Sequence, residues 1–244
     1  MSFKRKILEV YWAPHLPDDE FNWNILYETP KSLSSFLSHN INKNIKNENN
    51  IFLCPAVRDL ADNTFIVTNP LLSEFKFDES KNIKIISKTH LKSRLFRDPI
   101  FKGTKLLEYG LPFIFFCPET LEMTLTSPYF SNSPHIKYGS VIPGKFNIAK
   151  WFRPINLEYN VWKGDYIKFE EKEHLVYINF NTDKQVVLKR FNPTPELVKL
   201  SRACSGSTFW EKKVPLLKRY NRFINSESDK IILKLIKQNL YSEL

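Results

Sequence analysis

Five histidines and three cysteines are the residues in this chain best suited to metal or acid–base chemistry, and their spacing supports neither. His15, His39, His90, His135 and His174 fall in no HxD, HxE, HExxH or HxxxH arrangement. Those are the spacings by which one short segment supplies several metal ligands. A metal site would therefore need ligands brought together from distant segments. Cys54, Cys117 and Cys204 are an odd number with no CxxC pair, each in or beside an apolar run. That usage predicts small buried thiols in a reducing cytoplasm rather than a disulfide framework. Cys204, in RACSGSTFW, reads as the end of a helix stopped by Gly206. With only six glycines, the chain has no GxGxxG or P-loop cradle, and it has no GxSxG elbow. No catalytic residue, metal ligand or cofactor is predicted, and the reading leans away from an enzyme.

Two segments carry more polar and aromatic groups than a strand core needs. CPAVRDLADNTF (54–65) sets Arg58, Asp59, Asp62 and Asn63 between two predicted strands. There they either rim a pocket at a sheet end or form a local ion pair and a turn. SPYFSNSPHIKYGSVIPGKFN (127–147) holds three prolines and two glycines and reads as one long loop. Loops of that length in compact domains tend to be functional or disordered. Tyr129, Phe130, His135 and Tyr138 give it the aromatic, hydrogen-bonding character of a binding surface. Trp151, Arg153 and Asn156 follow on the next predicted strand and line the same cavity in this reading. The expected partner is a protein or a small ligand.

The elements that must position these residues are mostly strands. Hydrophobic residues make up 42% of the chain and aromatics 14%, with 20 Phe, which suits sheets whose inner faces hold large side chains. KILEVYWAP reads as a first strand stopped by proline. IFLCPAV, TFIVTNP, SEFKFD and NIKIISK follow, with period-2 patterns at Phe65/Val67 and Phe75/Phe77. Residues 88–109 read as a loop with a short helical turn. Aromatic runs between 111 and 191 recur every eight to twelve residues or so, the signature of a sandwich or jelly roll. Asn181-Thr182-Asp183 reads as a hairpin turn. Helices are predicted near 31–38, where Leu33, Phe36 and Leu37 have helical spacing, and in two or three stretches after residue 193. The last has Ser226 or Ser228 as its cap. The predicted fold is mainly β (α+β): an antiparallel two-sheet sandwich or jelly roll over 1–192, with an Asn-rich loop at 40–50. A C-terminal helical appendage over 193–244 packs on it.

The net charge of +10 comes mainly from Lys, which outnumbers Arg roughly three to one. Arg is the usual reader of bases, so the charge predicts weak, sequence-indifferent nucleic-acid binding at most, abolished by moderate salt. No run approaches the ~20 apolar residues of a membrane span, and the N-terminus lacks the continuous apolar core of a signal peptide. The expectation is a cytoplasmic protein with no membrane partner.

CPAVRDLADNTF, LTSPYF, KWFRPINLEYNVW and the strand ending YINFNTD occur in that order. Over roughly residues 8 to 200 the series resembles an uncharacterised family of small β-rich proteins encoded by T4-like phages of marine bacteria and by some bacteria. Before YINF the family pattern has a Gly-Glu-Pro-like turn, where this chain has Glu171-Lys172-Glu173-His174. The resemblance carries no activity. It implies a phage or marine-microbial origin, and a host-cell cytoplasmic setting if phage-encoded. Two function classes follow: a non-catalytic accessory protein that binds through the 127–147 loop, or a jelly-roll metal-dependent enzyme such as an Fe(II) oxygenase.

Overall fold

The structure, a computed structural model, describes residues 5–14, 27–40, 54–77, 83–85, 102–110, 113–150, 152–205 and 215–241. Within these residues the chain is mainly β, with strands in several sheets and five helices.

Strand β1 (Ile7–Pro14) is apolar on both faces, so it needs cover on both sides. Leu8, Val10 and Trp12 face the main core, and Tyr11 and Ala13 face a second one. Its partners are β7 (Phe113–Phe116), antiparallel, and β14 (Gln185–Arg190), which runs parallel to it. Strand β7 alternates in the same way, with Phe113 and Phe115 inward and Ile114 and Phe116 outward. The outward face is covered by helices α3 (Pro195–Ser205), α4 (Leu216–Asn225) and α5 (Ser228–Gln238). Their Leu197, Phe223, Ile232 and Ile236 pack with Tyr11, Ile114 and Phe116.

A five-stranded antiparallel sheet runs in the order β10 (Gly144–Asn147), β8 (Glu122–Thr126), β13 (His174–Phe180), β3 (Thr64–Thr68), β2 (Lys31–Ser32). Two three-stranded sheets complete the β structure. One is β6 (Lys105–Gly110), β11 (Asn156–Val161) and β9 (Gly139–Val141). The other is β12 (Tyr166–Phe169), β4 (Ser73–Phe77) and β5 (Ile83–Ile85). All four sheets send side chains into one core, among them Trp12, Phe75, Tyr109, Phe115, Met123, Tyr159, Phe169 and Phe180. Helices α1 (Leu33–Asn40) and α2 (Pro55–Ala61) cover the outer face of β3 and β13, where Leu33, Leu37, Ala61, Ile66 and Tyr177 cluster.

Several sequence expectations change. Residues 55–61 are helical where IFLCPAV predicted a strand, because Pro55 opens a helical turn and Ala61 is buried beneath it. Residues 51–53 lie outside the described residues, as do 41–50 of the Asn-rich loop, His15 and His90. Part of the predicted loop at 88–109 is strand β6, whose Leu107 and Tyr109 alternate into the core opposite β11. Asn181-Thr182-Asp183 does not make a hairpin: β13 pairs with β3 and β8, whereas β14 crosses to β1. Asn63, at φ 51°, holds that crossing. Its amide donates to the carbonyls of Thr182 (3.1 Å) and Lys184 (2.8 Å) and accepts from the Val186 N–H (2.9 Å). Cys54 is exposed rather than buried. Cys117 is buried, and burial pushes its thiol up to about 11. Neither predicted serine caps α5: Glu227, in the left-handed region at φ 52°, precedes its first residue. No described helix is long and apolar enough to cross a membrane.

Candidate functional site

The segment 127–147 is not one loop. It contains a single 3-10 turn at Pro134–Lys137 followed by β9 and β10. Pro134 fixes the first residue of that turn, and the N–H groups of Ile136 and Tyr138 donate to Ser133 and His135 carbonyls at 3.1 and 2.9 Å. The turn aims His135 inward, and the side chain is 0% exposed. This corrects its expected place on a surface loop. Its Nδ1–H donates to Glu173 Oε1 at 2.8 Å, and the same oxygen accepts the Glu170 N–H at 2.9 Å. The imidazole sits among the rings of Tyr159 and Phe169, with centroids 5.5 and 5.2 Å away.

A polar network pins the turn that carries Glu173. Lys172, at φ 62°, donates its N–H to the Asn69 carbonyl at 2.7 Å, and Asn69 returns an N–H to the Glu173 carbonyl at 2.9 Å. The Asn69 amide donates to Leu71 and Glu170 carbonyls at 2.6 and 2.9 Å, and Tyr109 Oη donates to its Oδ1 at 2.7 Å. Three buried atoms, His135 Nε2, Tyr159 Oη and Glu173 Oε2, make no hydrogen bond among the described residues. Burial, and then the charge of Glu173, push the Tyr159 hydroxyl above the ordinary tyrosine range. It is held as the neutral phenol.

Glu173, in the turn just before β13, faces inward onto His135, whereas His174, the first residue of β13, faces outward. The His174 ring meets Phe36 of α1 edge-on at 4.7 Å, and the Tyr177 hydroxyl lies within 3.5 Å of its Nδ1. Tyr129 completes this outer cluster. It packs edge-on against Phe130 and Tyr177, both at 5.0 Å, and remains 43% exposed. The Ser133 hydroxyl ties the segment to the strand by donating to the His174 carbonyl at 2.9 Å. Phe36, Glu173, His174 and Tyr177 were not among the predicted site residues. The signal for two of them was an adjacent Glu-His pair just before an alternating apolar run.

The remaining predicted residues lie apart. Arg58 and Asp59 are exposed on α2, whose Ala61 packs into the same cluster as Tyr177. Asp62 pairs with Arg5 rather than with Arg58. Tyr138 is half-buried, its ring 6.4 Å from Tyr166 and capped by the Lys137 ammonium at 5.0 Å. Arg153 is half-buried in the approach to β11, and Asn156 pairs with Gly110 through its backbone. Trp151 lies outside the described residues. Among the described residues, no group of three or more His, Cys, Asp or Glu is placed to hold a metal ion.

The outer cluster makes stability depend on pH. Burial, and then Lys31, lower the His174 pKa from 6.5. The unfolded chain therefore binds its proton at higher pH than the native one. The contribution is complete above about pH 6.5 and is lost as pH falls through the lower native value. Urea midpoints at pH 7.5 and 5.5 should differ less for His174→Gln than for wild type. An equal difference in the two proteins would show that His174 does not report this burial. Scans of family models, curated proteins and solved structures find no match to this chain.

Proposed function

We propose that this chain is a non-catalytic, phage-type accessory protein of the host cytoplasm, binding a protein or small ligand on the aromatic cluster centred on Tyr129. In this reading the sheets around the main core form a sandwich-like scaffold. The supporting observation is that Tyr129 is 43% exposed yet held edge-on by both Phe130 and Tyr177. An exposed ring already fixed in place loses little conformational freedom on binding and offers both an apolar face and a hydroxyl. Phe36 and His174 extend the platform.

Tyr129→Ala tests the proposal. A partner recovered from phage-infected cells, once identified and purified, should bind the variant at least tenfold more weakly than wild type. The variant's stability should fall by only about 1 kcal/mol, since the side chain is half exposed. Unchanged affinity would remove Tyr129 from the binding surface and the proposal with it.

A further inference from the structure

Next to Tyr129, the Phe130 N–H bonds the Tyr177 hydroxyl and the Val141 N–H donates to Ser127 Oγ at 2.9 Å, and a second tie of the same segment lies further along it. The connection runs inward. Ser131 N–H donates to the Pro128 carbonyl at 3.1 Å, the Ser131 and Ser133 hydroxyls lie 2.7 Å apart, and Ser133 Oγ reaches the His174 carbonyl. Two residues on, His135 is buried against Glu173. One carboxylate oxygen of Glu173 thus takes the His135 Nδ1–H from one segment and the Glu170 N–H from the turn before β13. The side chain of Glu173 is itself 6% exposed, so water does not compete for these bonds. Its neighbour His174 belongs to the outer cluster.

We infer that Glu173 is a positioning residue for the binding surface: by fixing His135 it sets segment 128–138 against β13 and so seats Tyr129 on Tyr177. The inference rests on the reading of the Tyr129 cluster as the binding surface. The ionisable groups around the pair are Tyr159 from β11, Tyr109 from β6, and Glu170, Glu171 and Lys172 from the turn.

The full chain is compared as wild type, Glu173→Ala and Glu173→Gln by NMR. In Glu173→Ala, the ring contact between Tyr129 and Tyr177 should disappear, and the Ile136 and Tyr138 amides should exchange at least tenfold faster. Protection of the β13–β8 ladder at Leu125 and Ile178 should stay within about twofold. Glu173→Gln keeps an oxygen that accepts both N–H groups and should restore the ring contact, which a requirement for charge alone would not allow. If Glu173→Ala also loses the ladder, His135→Phe replaces it: the ring volume stays, the Nδ1–H donor goes, and the same loss of contact is expected. A persistent Tyr129–Tyr177 contact in the variant that keeps its ladder overturns the inference, as does a Gln variant as impaired as Ala. The readout needs no partner, so it can fail while Tyr129→Ala still abolishes binding, and the converse holds.

Discussion

Replacing His135 by alanine is expected to destabilise the protein by about 3–5 kcal/mol, the usual cost of removing one member of a buried charged or polar pair. The imidazole is fully buried, hydrogen-bonded to Glu173 and enclosed by the rings of Tyr159 and Phe169. Its loss opens a cavity and leaves the buried carboxylate with only the Glu170 N–H, its other oxygen having no hydrogen-bond partner among the described residues. Read as an exposed loop residue, His135 would instead contribute within about ±0.5 kcal/mol. Urea unfolding of His135→Ala separates the two by several kcal/mol. A change below 1 kcal/mol would place the ring outside the interior, and with it the Glu173 contact.

Phe180→Ala should cost a similar amount for a different reason. Phe180 is 1% exposed at the end of β13, edge-on to Phe65 at 5.8 Å and to Phe115 of β7 at 6.1 Å. It joins the five-stranded sheet to the sheet built on β1. Phe→Ala truncations at such sites cost about 3–5 kcal/mol, because transfer energy and cavity add. For a chain of this size, that lowers Tm by roughly 6–20 °C. Calorimetry of the variant checks it. A shift of a degree or two would mean that this ring does not bridge the sheets.

The difference between these residues shows what a linear reading can reach. Phe180 lies in YINF, where period-2 alternation marks it as inward on any reasonable sheet. His135 lies in SNSPHIKYG, where every neighbour signals a turn. Turn residues predict a change of chain direction, not whether the turn faces solvent. Pro134 and the 3-10 bonds around it bend the segment inward, and the available acceptor is 38 residues away at Glu173. No local pattern encodes that distance. The same limit applies to Asn181-Thr182-Asp183. Its residues suit a hairpin, but β14 leaves for a parallel pairing with β1 at the other end of the sequence.

Composition, alternation and helical spacing by themselves determined a mainly β protein, the first strand, a helix near 31–38 that is found at Leu33–Asn40, and two or three helices near the C-terminus, of which the described residues hold three. These are local properties: side-chain period follows from backbone geometry, and amphipathic faces follow from the order of residues. Tertiary structure decided how the strands divide among sheets, the burial of His135 and the meeting of Phe36, Tyr129, His174 and Tyr177. Each depends on contacts between segments far apart in sequence, whose free energy is shared across the whole core and appears in no single stretch of it.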